Sequence, residues 1–343
     1  MIFEYPRVNK MNEGILRDSH AVLLPAIAGL ELEYEFGDFL ANGGQAILLG
    51  ESREEYVARR MLPARTAREN SAIFTELLKA LNQARGPVIV AVDQELGGIQ
   101  RLSALVPPLP DAAAATAMTE GEIEEACFTT AKAAKALGVT MFLAPVLDVV
   151  VGGNPWLEGR TMAAHPTEVA RIGTAFVRGV QRAGVVAVAK HFPGYPLMSA
   201  DPALTEVALE VEEALVWEHG AAFKSVIEAG VRAVMTGPAP VAALDPLQGA
   251  STSPVVIGAL RQQFGFGGLI VSDDLDAPAT LLGRTLEETA IAALAAGADL
   301  LLVGNGPHIP ALCRAIAGAV LGGGLPAARL AEAAARVRAV ANS

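Results

Sequence analysis

Short apolar runs alternate with helix-forming segments along nearly the whole chain, and this alternation limits the fold more than any other feature. The runs lie at 22–27, 46–50, 88–93, 139–148, 185–191, 232–237, 268–274 and 299–304. Within the fifth, Val185-Val186-Ala187-Val188-Ala189 is apolar without a break, the pattern of a parallel strand buried on both faces. Between the runs, 67–84, 120–137, 167–183, 211–229 and 286–296 combine good helix formers with helical apolar spacing. Pro166 before Thr167 and Glu168 predicts a helix start, with proline in the first turn and an acid near the N-terminal end. Eight strands alternating with helices predict an α/β chain, a single-domain TIM (β/α)8 barrel over residues 1–343. The Ala-rich helical tail from about 307 to 343, broken near 321–326, is expected to pack on its outside. A doubly wound open sheet is the competing arrangement. It calls for a glycine-rich phosphate turn after an early strand, and Gly152-Gly153-Asn154-Pro155 lacks the GxGxxG spacing.

Composition narrows the partners. The chain is 52% hydrophobic and 18% charged, enough apolar surface for a large core. Its net charge of −11, with no basic run, argues against nucleic acid or an anionic membrane as partner. Cys127 and Cys313 sit in apolar, helix-like contexts and are expected to be buried thiols, not a disulfide or a metal site. The first residues, MIFEYPRVNK, hold no apolar signal core, and no stretch approaches a membrane span. A cytoplasmic protein without membrane contact is the expectation.

In a barrel the active site forms at the C-terminal ends of the strands. The third run ends in Asp93-Gln94-Glu95 and leads to Arg101. The fourth ends in Asp148, and its loop carries Asn154-Pro155-Trp156 and Gly159-Arg160. The fifth ends in Lys190-His191, and the seventh in Ser272-Asp273-Asp274. Charges are costly to bury without partners, so carboxylates and cations at four strand ends suggest one polar site. Loop capping and ion pairing are the alternative account of the same residues. Asp93, Arg101, Lys190 and His191 suit sugar hydroxyls, because carboxylates accept and the cations donate. Asp273 suits a carboxylate nucleophile. A metal is not expected: His191 lacks a second histidine at ligand spacing, and the clustered cations would repel a divalent ion. No cofactor is expected, and no GxSxG elbow supports a serine nucleophile.

These residues also match a family. Residues 92–102 (VDQELGGIQRL), 144–149 (APVLDV), 154–160 (NPWLEGR), 190–194 (KHFPG) and 272–275 (SDDL) occur in order over most of the chain. The chain thereby resembles the single-domain, NagZ-like β-N-acetylhexosaminidases of glycoside hydrolase family three. The resemblance implies a TIM barrel and retaining hydrolysis of a β-linked N-acetylhexosamine or related sugar through a glycosyl-enzyme intermediate. It assigns Asp273 as nucleophile, and Asp93, Arg101, Arg160, Lys190 and His191 as sugar-binding residues.

The departures fall on the loops. The family carries Asp-Ser-His after KHFPG, its Asp and His serving as acid/base; here the residues are Asp201-Pro202-Ala203. Tyr195-Pro196 stands for His-Gly, Gly237-Pro238 for Ala-His after the sixth run, and Gly98-Ile99 for Arg-Val in the third segment. Asp201 is the first candidate for a surviving acid/base, ahead of Glu158, Tyr195 and His165. Trp156 is read equally as a sugar-stacking platform or as loop packing. Besides a hydrolase with a weakened or rebuilt acid/base, two readings stay open: an impaired family member that binds a carbohydrate or protein, and a lyase forming a Schiff base on Lys190.

Overall fold

The computed structural model describes residues 10–27, 29–30, 34–81, 86–304 and 306–343. Eight parallel strands form one sheet: β1 Leu23–Ile27, β2 Ala46–Leu49, β3 Ile89–Val92, β4 Met141–Phe142, β5 Val186–Phe192, β6 Ala233–Thr236, β7 Leu269–Val271 and β8 Leu301–Gly304. Neighbours follow chain order, and β8 pairs with β1 through Leu23–Leu301 to Ala26–Gly304. The ring closes between β7 and β8 at the Val271–Leu300 bridge. There the Ser272 hydroxyl accepts from the Leu302 N–H (3.0 Å), standing in for a ladder carbonyl. The (β/α)8 barrel expected from the alternation is the fold.

Why the runs are apolar throughout follows from the pleat. Successive residues point to opposite faces, and both faces are dry. Leu24, Leu48, Ala91, Met141, Val186, Val188, Met235 and Val271 fill the barrel interior. Their neighbours Leu23, Leu49, Val92, Phe142, Ala187, Ala189, Val234 and Ile270 face the helices. The outer layer is equally close-packed: a Cβ on Gly179 of helix Pro166–Arg182 would lie 2.3 Å from the Glu124 carbonyl of helix Glu120–Ala136.

Element ends differ from the sequence reading in two instructive places. The fourth run was expected to be strand from 139 to 148, but regular ladder stops at Phe142. Pro145 has no N–H to donate, so pairing continues only through single bonds such as Lys190 N–H to the Pro145 carbonyl (2.9 Å). The helix expected over 67–84 is divided into Pro63–Arg68 and Ser71–Leu81. Asn70 causes the break, its Oδ1 accepting from the N–H groups of Ala72 and Ile73 (3.0 and 3.3 Å) as a cap for the second helix.

The last two helices, Ile309–Leu321 and Ala327–Ala341, contact helix Lys10–Ala21. Val337 on the final helix closes onto the barrel interior. It does so at the end away from the loops that follow the strands, where Asp299 receives Arg329, Arg336 and Arg261 (2.5, 3.1 and 2.7 Å). Among the described residues, no helix is long and apolar enough to cross a membrane.

Candidate active site

The C-terminal ends of the strands surround a cavity of about 250 Å³. Four of those ends deliver polar groups: Glu51 after β2, Asp93 after β3, Lys190 and His191 from β5, and Asp273 after β7. The loop after β4 adds Trp156 and Arg160. Asn154 shapes that loop, donating through Nδ2 to the Tyr195 carbonyl (2.8 Å) while its Oδ1 accepts from Leu157 N–H (3.1 Å). The Trp156 ring thereby packs 4.5 Å from the His191 ring. Trp156 is nearly buried, lines the cavity and packs on the loop at once.

One side of the cavity is an alternating charge network. Lys190 Nζ donates to Asp93 Oδ1 (2.5 Å) and contacts Glu95 Oε1 (2.9 Å). Glu95 is fully buried and takes a two-point contact from Arg160 (2.7 and 3.2 Å) and the Ile99 N–H (3.0 Å). Burial opposes the Glu95 charge, but Arg160 and Lys190 outweigh it and hold its carboxyl well below the usual range. Burial likewise opposes the Lys190 ammonium, and Asp93 and Glu95 hold its pKa above the usual value.

The other side is built from Asp148, His191 and Asp273. Asp148, wholly buried, accepts from the backbone N–H and Nδ1 of His191 (3.1 and 2.7 Å) and from Tyr195 N–H (2.8 Å). Since Nδ1 donates to Asp148, Nε2 is left to face Asp273 Oδ2 at 3.9 Å. Asp273 is positioned by its own N–H donating to Ser251 Oγ (2.9 Å), and its Oδ1 accepts from Asp274 N–H (2.7 Å). Its Oδ2 is shielded and without a hydrogen-bond partner. Burial raises the pKa of Asp273 above the ordinary carboxylate value, against the pull of His191, the Asp274 N–H, Lys190 and Arg160.

Asp93, Arg160, Lys190, His191 and Asp273 therefore share one cavity. Arg101 is placed behind it: it is buried, donates to the Gly50 carbonyl (2.9 Å) and pairs with Glu69 (2.6 and 2.8 Å). It braces the turn that carries Glu51. Asp201 lies one turn from the cavity wall, its Oδ1 accepting from Ala203 N–H (2.9 Å), and Ala203 is the residue of that turn in the wall. Glu158 and His165 are exposed.

Tyr195 is fully buried and donates its hydroxyl to the Ala239 carbonyl (2.8 Å). A Cβ on Gly237 would come within 2.1 Å of its ring. Two of the departures, Tyr195 and Gly237, are thus one packing arrangement: the ring fills the space over a residue that has no side chain. Glu51 is a cavity residue that none of the sequence motifs marks; its only signal in the sequence is an acid just past the second apolar run.

Comparison with known proteins agrees with this geometry. The profile of the glycosyl hydrolase family 3 N-terminal domain matches residues 46–340. A β-hexosaminidase of Methylococcus capsulatus is 32% identical over 242 residues, 68% of this chain and 72% of that protein. Among solved structures, a family 3 β-N-acetylglucosaminidase from a Paenibacillus species is 28% identical with a TM-score of 0.84; it covers 95% of this chain, which spans 62% of that longer protein. A family 3 glycosyl hydrolase of Mycobacterium smegmatis is 26% identical with a TM-score of 0.80, over 94% and 96% of the two chains.

Proposed function

Because the chain belongs to glycosyl hydrolase family 3, we propose that its cavity hydrolyses a β-linked N-acetylhexosaminide, or a related glycoside, with retention of configuration. The observation that carries this reading is the shielded, unpartnered Oδ2 of Asp273 beside His191 Nε2. In the first step Asp273 Oδ2 attacks the anomeric carbon and the glycosidic oxygen leaves, forming a glycosyl ester on Asp273. Water then attacks the same carbon, losing a proton to Asp201 as base, and Asp273 departs as a carboxylate. Asp93, Lys190 and Arg160 hold the hydroxyls of the sugar, and the His191 ring, fixed by Asp148, lies against the reacting carboxylate. The names of the Methylococcus and Paenibacillus relatives support the hexosamine class of substrate.

Asp201 is the proposed acid/base, supported by its place one turn from the wall at Ala203. One of its oxygens is engaged with its own turn, and departure is expected to depend on the leaving group. The two buried free thiols suit a reducing compartment such as the cytoplasm.

Turnover of a series of aryl β-N-acetylglucosaminides tests this. Rates are expected to fall steeply as the leaving phenol becomes less acidic, and a 2-fluoro glycoside is expected to label Asp273. Labelling elsewhere, or no turnover of nitrophenyl glycosides of any common sugar, would sink the proposal.

A further inference from the structure

Among the described residues, two that line the cavity hold a buried side-chain oxygen with no hydrogen-bond partner: Asp273 Oδ2 and Glu51 Oε2. The first belongs to the chemistry above, and the second has no role in it. Glu51 follows β2 and faces charged groups from three other elements: Asp93 and Glu95 after β3, Lys190 on β5, and Arg160 of the β4 loop behind Glu95. The turn beneath it is fixed by Arg101, which bonds the Gly50 carbonyl and is itself neutralised by Glu69.

Charge balance in this network leaves Glu51 over. Lys190 and Arg160 offset Asp93 and Glu95, with short contacts throughout. A third carboxylate in the same shielded wall would have no counter-ion, and an unpaired buried charge is costly. A neutral carboxyl avoids that cost and presents an O–H donor and a C=O acceptor side by side in one group. We infer that Glu51 binds the sugar as a neutral carboxylic acid, its O–H donating to one ring oxygen group and its carbonyl accepting from a hydroxyl on the β2–β3 side of the cavity. This deepens the proposed function, resting on its reading of the cavity as a sugar site. The titration behaviour agrees: burial first, and then the Asp93 charge, push the Glu51 carboxyl up to about 8, against the pull of Lys190.

Calorimetric titration with N-acetylglucosamine tests the inference on the wild type, E51Q and E51A, alongside aryl glycoside turnover by the same proteins. Wild-type affinity is expected to fall about tenfold between pH 6 and pH 9 as the acid ionises. Glutamine keeps a donor beside an acceptor, so E51Q is expected to bind with little change over that range. E51A is expected to be about tenfold weaker at pH 6 and also insensitive to pH, with melting curves reporting that both variants fold. Equal affinity of wild type and E51A, or an E51Q profile that falls in parallel with the wild type, would overturn the inference. So would a preference for glucosamine that E51Q abolishes, which would mean a carboxylate pair holding an ammonium. Turnover with no effect of E51A leaves the hydrolase standing and removes Glu51. Glu51-dependent binding without turnover does the reverse. Absence of both binding and turnover removes both.

Discussion

At the scale of single residues, the site works by leaving one carboxylate oxygen unpaired while pairing nearly everything around it. Asp273→Asn keeps the contacts of Oδ1 and the backbone but removes the proposed nucleophile. It is expected to retain sugar binding and to lose turnover by more than the about 10²–10⁴-fold that proton transfer assistance contributes, measured on an aryl glycoside. The proposed attack needs Asp273 ionised. Its raised pKa therefore places the acid limb of kcat/KM above the range of an ordinary aspartate, with activity falling as pH drops through it. An acid limb at or below the usual aspartate value in a pH–rate profile would contradict that assignment. Glu51 has a stability signature of its own. A carboxyl raised from 4.5 to about 8 on folding contributes stability fully present below the unfolded value and lost as pH rises through the folded one. E51Q is therefore expected to melt at a higher temperature than the wild type at pH 9, and to lose that advantage at pH 4.

At the scale of elements, the loops are where the sequence was hardest to read. The β4 loop is held by two bonds of one side chain, Asn154 to Tyr195 and Leu157 to Asn154. Asn154→Ala is expected to destabilise the protein by about 2 kcal/mol, seen in urea unfolding, and to weaken sugar binding because Trp156 loses its place on His191. Unchanged binding would mean that the loop is ordered by other contacts. The sequence places NPWLEGR in the loop after the fourth run, but not which partner its asparagine finds, since Tyr195 lies 41 residues away. Arg101 shows the same limit from the other side. Its motif marked it as sugar-binding, yet what surrounds it is Gly50 and Glu69, from segments whose approach no local pattern encodes.

At the scale of the whole molecule, the barrel separates chemistry from stability by placing them at opposite ends. Asp299 is fully buried where the final helix closes the barrel, and it anchors three arginines from two helices. Asp299→Ala leaves those guanidiniums without their common partner. The cost is expected to be roughly 3 kcal/mol, near the low end for breaking a buried pair because the arginines keep some water contact. KM for an aryl glycoside is expected to stay unchanged in the folded fraction. A shifted KM would show that the two ends of the barrel are coupled.

What the sequence by itself determined is periodic: eight dry strands with helices between them, and polar residues at the strand ends. Local spacing carries that information because a strand buried on both faces must be apolar along its length, and because charges gather where strands stop. What only the tertiary structure decided is which of those polar residues meet. Tyr195 occupies the space over Gly237, Asp148 turns His191 toward Asp273, and Glu51 is left over in a wall whose other charges cancel. Each depends on pairs far apart in the chain, and the energy that selects them, through contact, hydrogen bonding and the cost of an unpaired buried charge, exists only once the barrel has closed.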